Sequence, residues 1–498
     1  MLNIVLDNDI VLDLLSLSKN DTQHNFIRLQ KAPIHFWLPC CTLSVLETQI
    51  HAQNHHPLSA LVKKNVQWLS SLAAHWYSIP TKCANRTQAM ISLDAATLPG
   101  MTIIWTNDSD FTSIHSDIEW GDHEFVYGML AQYENELSLV DLESQQLILR
   151  PSLEKQIFNV LKHGQYLAGP EVEKLEKELA AYVNAKHCIS VASGTDALLM
   201  ALMALDIQAG DEVITSVFNF IAAAEVVAVL GAKPVLVDIE PITYTINSSL
   251  LSKAITDKTK AIIVPNLFGQ CADFEAVNKI AAQHKIKVIE EASQSFGATY
   301  HNKPSGTLAT IGCTSFSPAK TLGAYGEAGA CFTEDDQLAD KLRQLRHHGQ
   351  EKRYYHQWVG INARLDTLQA SILLAKLKLF PRELEKQINV AKNYNKLLEG
   401  IVTPPMIATY NSSVYSQYTI EVNNRHLIQQ KLQQQNIPTV VHYPAPIHLQ
   451  PAFAYLKQEE KHFPVAEKVA YRVLSLPIHP YLTSEIQTQI VESLKSIL

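Results

Sequence analysis

The residues best suited to covalent chemistry in this chain lie around Lys320. It stands in the run Ser315-Phe316-Ser317-Pro318-Ala319-Lys320-Thr321-Leu322-Gly323-Ala324-Tyr325-Gly326-Glu327, a small-residue loop behind a strand expected at residues 312–316. An amine that attacks a carbonyl must shed its proton near neutral pH, which takes desolvation or a cationic neighbour. Alone, a lysine in a Gly-rich turn describes an ordinary surface residue equally well, so its partners decide. One partner is Cys188-Ile189-Ser190-Val191-Ala192-Ser193-Gly194-Thr195-Asp196, followed by the apolar Ala197-Leu198-Leu199-Met200-Ala201-Leu202. A short strand turns there into a helix and aims free amide N–H groups and the positive helix end at one point, as a phosphate requires. Plain helix capping accounts for the same Ser and Thr. The other partner is Lys287-Val288-Ile289-Glu290-Glu291-Ala292-Ser293-Gln294, a β-rich run whose carboxylates end at the side of an α/β sheet that carries chemistry. A carboxylate there either keeps a heteroaromatic nitrogen protonated or is simply solvated. Phe220, in Val217-Phe218-Asn219-Phe220-Ile221-Ala222-Ala223, suits both stacking on a ring and core packing.

The elements that must position these groups follow from periodicity. Between residues 188 and 333, β-rich runs at 188–192, 212–216, 234–238, 261–265 and 288–291 alternate with helical stretches. That alternation predicts a mostly parallel sheet with helices on both faces. Residues 365–379 form an amphipathic helix leading out of the sheet, and a smaller α+β domain begins near 385, with strands expected at 417–422 and 438–442. Residues 1–120 read as a separate α/β unit. Residues 121–137 lack Gly/Ser linker character and are expected to form a connecting helix. There is no internal repeat and no low-complexity tract.

Taken together, these runs resemble the DegT/DnrJ/EryC1/StrS family of pyridoxal phosphate-dependent sugar aminotransferases, over roughly residues 138–498. The resemblance also rests on Val140-Asp141-Leu142-Glu143-Ser144-Gln145-Gln146, Gly169-Pro170-Glu171-Val172, Gly210-Asp211-Glu212-Val213-Ile214 and Gly231-Ala232-Lys233-Pro234-Val235. It continues in Arg346-His347-His348-Gly349-Gln350, Gly360-Ile361-Asn362-Ala363-Arg364-Leu365-Asp366-Thr367-Leu368-Gln369 and His442-Tyr443-Pro444-Ala445-Pro446-Ile447-His448. It implies an aspartate aminotransferase-like α/β fold (type I), with a large cofactor-binding domain over 138–384 and a small α+β domain over 385–498. Lys320 then matches the Schiff-base lysine, and Gly194, Thr195 and Ser315 match phosphate ligands. Glu291 stands where the family usually has an aspartate on the pyridine nitrogen, Gln294 beside the phenolic oxygen, and Phe220 on the ring face. Asn362 matches an asparagine that reaches the phosphate from the other subunit of a homodimer with shared active sites. Glu291 for Asp, Asn219 for Thr, Thr321 for Asn or Pro, and Glu327-Ala328-Gly329 for Asp-Gly-Gly are departures. Relatives with His at the lysine position are dehydratases, and Lys320 sets this chain apart from them.

The activity so implied is a two-stage transfer from L-glutamate to a nucleotide-linked keto sugar, with ping-pong kinetics. The pattern around Arg353-Tyr354-Tyr355-His356 looks most like relatives acting on UDP-linked 3-oxo-glucuronic acid derivatives, and relatives acting on dTDP-linked oxo-deoxyhexoses share much of it. Such enzymes serve cell-surface polysaccharide and lipopolysaccharide O-antigen synthesis in the cytoplasm. Arg346, His348, Arg353, Tyr355 and His356 are candidate anchors for a diphosphate or sugar carboxylate, because fork-shaped donors match both. A basic helix end favoured by the macrodipole explains the same run.

The N-terminal region resembles the PIN domain of ribonucleases and toxins. Asp7, Glu47 and Asp108 follow or flank apolar runs, and Asp94 is displaced from the family's usual spacing. Such acids hold Mg²⁺ or Mn²⁺ for phosphodiester hydrolysis, since hard cations favour oxygen ligands, or merely cap helices. A second reading of the whole is therefore a PIN-type ribonuclease or toxin-like protein carrying a non-catalytic aminotransferase scaffold. Composition favours the first reading: the net charge of −8 comes without a broad basic patch, so nucleic-acid binding is not expected. No apolar run reaches the ~18 residues of a membrane helix, and the first residues lack a signal peptide's positive region. Cys40, Cys41, Cys83, Cys188, Cys271, Cys313 and Cys331 are odd in number and form no C-x-x-C pair, as reduced thiols do.

Overall fold

In the computed structural model the described residues are five short strands of the N-terminal region and residues 137–458 and 462–498. The chain divides into two units, residues 1–135 with 143–148, and residues 136–142 with 149–498. In the first, β1 (Leu2–Leu6), β2 (Ile34–Leu38), β3 (Val66–Trp68), β4 (Met101–Trp105) and β5 (Glu119–Gly121) pair in the order β3-β2-β1-β4-β5. Every pairing is parallel. Asp7, Glu47, Asp94 and Asp108 lie outside the described residues, as do residues 122–136 of the expected connecting helix.

The second unit includes α1 (Leu142–His163) from Leu149 onward, and α2 (Pro170–Val183) follows it there. Its chain then alternates through β6 (His187–Val191), α3 (Gly194–Ala204), β7 (Glu212–Ser216), α4 (Ala222–Val229), β8 (Lys233–Val237), α5 (Leu251–Ala254), β9 (Thr259–Pro265), α6 (Phe274–Gln283) and β10 (Lys287–Glu291). A small hairpin, β11 (Thr299–Tyr300) and β12 (Lys303–Pro304), precedes β13 (Ile311–Ser315), β14 (Gly329–Thr333) and α7 (Asp336–Leu345). The sheet order is β6-β14-β13-β10-β9-β7-β8, and β14 alone runs against its neighbours. The strand interiors are continuous apolar runs, as burial on both faces demands. One face carries Ile189, Val213, Ile263 and Ile289 against α3, α4 and α7; the other carries Ile262, Val264 and Val288 against α6.

Beyond α7 the chain forms a hairpin, β15 (Gln350–Lys352) and β16 (Tyr355–His356), and then α8 (Thr367–Leu397). The helix expected over 365–379 thus runs 31 residues, through Pro381. Proline removes one hydrogen bond. The apolar stripe runs from Phe380 just before it to Val390, Ala391 and Tyr394 beyond, all buried, and tertiary packing outweighs the local penalty. The domain boundary expected near 385 therefore falls inside a continuous helix. The small domain pairs β17 (Tyr418–Glu421) with a strand after α9 (Arg425–Gln434) and α10 (Pro464–Arg472), namely β18 (Val473–Leu476), and ends in α11 (Ser484–Ile497). Residues 438–442, expected as a strand, contribute only the bridge from Val440 to Ser475. Among the described residues no helix is long and apolar enough to cross a membrane, and no group of three or more His, Cys, Asp or Glu could hold a metal.

Candidate active site

The turn from β6 into α3 is built as its composition predicts. Ser193 is extended, its Oγ accepts from Asp196 N at 3.0 Å, and Ala197 N donates to its carbonyl at 3.0 Å. That arrangement leaves the Gly194 and Thr195 amides as the ones a phosphate would take. Ser315, the last residue of β13, faces this turn closely. A Cβ on Gly194 would come within 2.6 Å of the Ser315 Cβ, and one on Gly329 within 2.5 Å of the Ser193 carbonyl. Only glycine allows that cradle, which fits the phosphate of pyridoxal phosphate.

The loop after β13 is closed at its base, where Phe316 N donates to Ala328 O and Ala324 N donates to Phe316 O, both at 2.8 Å. Lys320 sits on it, its own N–H donating to Ser317 O at 2.9 Å. Burial pushes the Lys320 ammonium below its ordinary pKa, and the charges of Glu291 and Glu327 pull it back. This is the environment that a reactive amine requires.

Glu291 ends β10 between β9 and β13 and is 7% exposed; its Oε1 accepts from Ser293 N at 3.0 Å. A Glu reaches one methylene further than an Asp, and the Ser293 amide is what fixes the longer arm. Gln294 is held at both ends, since Phe268 N donates to its Oε1 at 2.8 Å and its Nε2 donates to the Tyr443 hydroxyl at 2.9 Å. Phe220 is 56% exposed, so it is not core. Its ring lies 6.4 Å from that of Tyr443, with which it forms an aromatic wall, and the buried Oδ1 of the adjacent Asn219 has no hydrogen-bond partner.

Two further residues enter that the sequence reading quoted within a motif without a role. Tyr443 feels the Glu291 charge, and burial foremost raises its pKa. Burial and then the Lys320 charge push His442 down to about 4, so its ring is neutral, with Nδ1 2.9 Å from Ser475 Oγ. The available signal was the paired polar-aromatic block His442-Tyr443 before Pro444.

The candidate anchors separate. Arg346 turns inward, its Nη1 bonding Glu176 and the Ser190 carbonyl at 2.9 Å, so it ties α2 to β6 and is not an open anchor. The helix α7 ends before it, and His348, Arg353, Tyr355 and His356 lie exposed on the turn and hairpin instead of a basic helix end. His356 Nδ1 lies 2.9 Å from His348 O, and Gly349 at φ +67° makes the entry turn, where a Cβ would meet Trp358 O at 1.8 Å. Asn362 is also exposed, bridged to His347, with Oδ1 accepting from Arg364 Nε at 3.0 Å. The next residue, Ala363, accepts from Ala192 N at 2.9 Å and so lies beside the phosphate turn.

Residues 149–495 match the model of the DegT/DnrJ/EryC1/StrS aminotransferase family. A UDP-2-acetamido-2-deoxy-3-oxo-D-glucuronate aminotransferase of Pseudomonas aeruginosa is 51% identical over 347 residues, 70% of this chain and 96% of the relative. Among solved structures, a DegT DnrJ EryC1 StrS aminotransferase from Brucella abortus aligns with TM-score 0.70 and 39% identity, over 72% of this chain and 99% of that one. DesV of S. venezuelae, solved in complex with a ketimine intermediate, aligns with TM-score 0.71 and 35% identity over 72% and 98%. None of these supports the reading of this half as a scaffold for a nuclease.

Proposed function

The chain belongs to the DegT/DnrJ/EryC1/StrS aminotransferase family and is a pyridoxal phosphate-dependent sugar aminotransferase, and from that premise we propose that it transfers the amino group of L-glutamate to C3 of a UDP-linked 3-oxo sugar acid. The observation that carries the acceptor is the 51% identity to the P. aeruginosa enzyme across 96% of its length. The product is an amino sugar for cell-surface polysaccharide.

Pyridoxal phosphate, when bound, supplies an aldehyde carbon for the amine and a ring that draws electrons from the neighbouring C–H bond. Gly194, Thr195 and Ser315 would hold its phosphate. Phe220 would cover the ring, Gln294 would lie by the phenolic oxygen, and Glu291 would keep a proton on the pyridine nitrogen. Lys320 Nζ, with its lowered pKa, would take the proton from the donor's α-carbon and deliver it to the former aldehyde carbon, across the nitrogen between them. Running the same motions in reverse places the amine on the sugar. His442, uncharged, leaves the lysine as the basic group on that side.

The site is completed by a second copy of the chain. Tyr354 and Tyr355 on the hairpin and Val359 just after it are 76%, 74% and 90% exposed, and Phe158 and Leu161 on α1 are 65% and 54% exposed. Apolar groups so exposed mark an interface. Asn362, on the same excursion, then reaches the partner's phosphate, and His348, Arg353, Tyr355 and His356 meet the diphosphate or carboxylate of the sugar.

The test is the visible absorbance of the purified protein with L-glutamate, then with two acceptors in parallel. Conversion of the lysine-bound band by glutamate, and its return with a UDP-linked 3-oxo sugar acid but not with a dTDP-linked 4-oxo-6-deoxyhexose, is the expected result. Return only with the deoxyhexose would overturn the acceptor assignment. No response to glutamate would overturn the donor.

A further inference from the structure

The loop that carries Lys320 is gripped on its far side by α8, through residues with no part in the chemistry above. Gln369 Oε1 accepts from Tyr325 N at 2.9 Å, and Gln369 Nε2 donates to Tyr325 O at 3.2 Å. One carboxamide thus satisfies both main-chain groups of a residue five positions after the lysine. The fit is close: a Cβ on Gly326 would stand 3.0 Å from Gln369 Nε2. Two helical turns on, Lys376 is 1% exposed and its Nζ lies 4.9 Å from the centroid of the Tyr325 ring, which packs against Leu149, Leu153, Ile372 and Ala375. A buried ammonium over an aromatic face is held at a desolvation penalty that an apolar residue would avoid. It is therefore poorly explained as a device for stability.

We infer that Gln369 is a positioning residue for Lys320: by fixing the Tyr325 backbone it sets where the lysine amine stands relative to Glu291, and Lys376 holds the Tyr325 ring in the same register. The inference rests on Lys320 being the cofactor-bearing lysine. Residues before Gln369 reinforce it, because Ala363 O accepts from Ala192 N at 2.9 Å and Thr367 Oγ1 accepts from Gly169 N at 3.1 Å. One continuous stretch therefore ties the phosphate turn and the lysine loop to the same helix, so that the two halves of the cofactor site keep their spacing.

The experiment compares Gln369→Leu, Gln369→Glu and Lys376→Met in the cofactor-loaded protein. It reads the pH titration of the visible band, deuterium exchange at the Tyr325 amide, and thermal midpoint. In Gln369→Leu the amide should exchange about tenfold faster, as loss of one buried hydrogen bond implies. The titration midpoint should move by about half a pH unit or more, and kcat should fall about tenfold with the KM for glutamate within about twofold. Gln369→Glu, which retains the acceptor for Tyr325 N, should lie between. Lys376→Met should move the midpoint in the same direction without any loss of thermal stability, which separates positioning from mere structure. A folded Gln369→Leu with the parent's midpoint and kcat overturns the inference, as does a kcat loss fully accounted for by reduced cofactor occupancy. Lys320→Ala is the control for the premise: if it keeps the lysine-bound band, the lysine assignment fails whatever Gln369 does.

Discussion

Glu290 and Glu291 are neighbours in one strand, and the pleat sends them to opposite duties. Glu290 is fully buried and its carboxylate accepts from Asn266 Nδ2 at 2.9 Å, Ser305 Oγ at 2.8 Å, Gly306 N at 2.9 Å and Leu308 N at 3.0 Å. Glu291 accepts from the Ser293 amide, and its charge acts on Lys320. Replacing Glu291 by Gln should leave cofactor bound while lowering kcat by about 10²-fold or more, the scale on which a proton-holding group acts. Replacing it by Asp should retain most of the rate, which steady-state kinetics would show. Lys376 allows a second prediction at this scale. Burial pushes its pKa down to about 8, against the opposing charge of Glu383. The unfolded chain binds more protons than the folded one between about pH 8 and the unperturbed lysine value of about 10.4. Stability of the parent should thus rise with pH across that window, and below it the charged form is penalised. Lys376→Met should be more stable by about 1–3 kcal/mol at pH 7, and chemical denaturation should show the gap closing as pH rises from about 8 toward 10.

At the scale of elements, the turn proposed to hold the phosphate is the contact of two glycines, Gly194 and Gly329, with their neighbours. Gly194→Ala would put a methyl group 2.6 Å from the Ser315 Cβ, a distance that nothing rigid accommodates. The turn must open, and titration of the cofactor-free protein should show affinity for pyridoxal phosphate falling at least about tenfold, a loss of about 1.4 kcal/mol. The strands of the sheet were legible because each is a short apolar run between turn signals, and β7 lies over the residues expected. The antiparallel β14 was not, since its Gly-Ala-Cys-Phe-Thr run carries no sign of direction. Nor was the length of α8. A proline usually ends a helix, and only the burial of Val390, Ala391 and Tyr394 beyond it shows why this one continues.

For the whole molecule, the proposed sharing of sites between two copies makes a prediction that no single chain can mimic. Lys320→Ala and Asn362→Ala, each with little activity alone, should regain activity when mixed and exchanged. A mixed dimer then holds one site free of both changes, so about a quarter of the parent rate is the expected outcome for random mixing of twofold assemblies. Recovery that does not follow the mixing ratio, or none at all in a demonstrated mixed dimer, would mean that each chain builds its own site. The exposed Tyr354 and Tyr355 of the hairpin and Val359 after it belong to the same picture, because an isolated chain would present them to water.

The sequence by itself determined what is local and contiguous. The Ser193-Gly194-Thr195 turn, the Lys320 loop, the acidic end of β10 and the α/β alternation all follow from neighbours within a few residues, where hydrogen bonding and apolar period act directly. Its match to the family then identified the chemistry. Only the tertiary structure decided how distant side chains are satisfied. Arg346 finds Glu176 across 170 positions, Gln294 finds Tyr443 across 149, and Gln369 finds Tyr325 across 44. The same packing turned Arg346 inward onto Glu176 and Phe220 out of the core. A side chain's partner is set by which surfaces the packed elements bring within reach, and burial makes that choice binding because a desolvated charge or donor must be met.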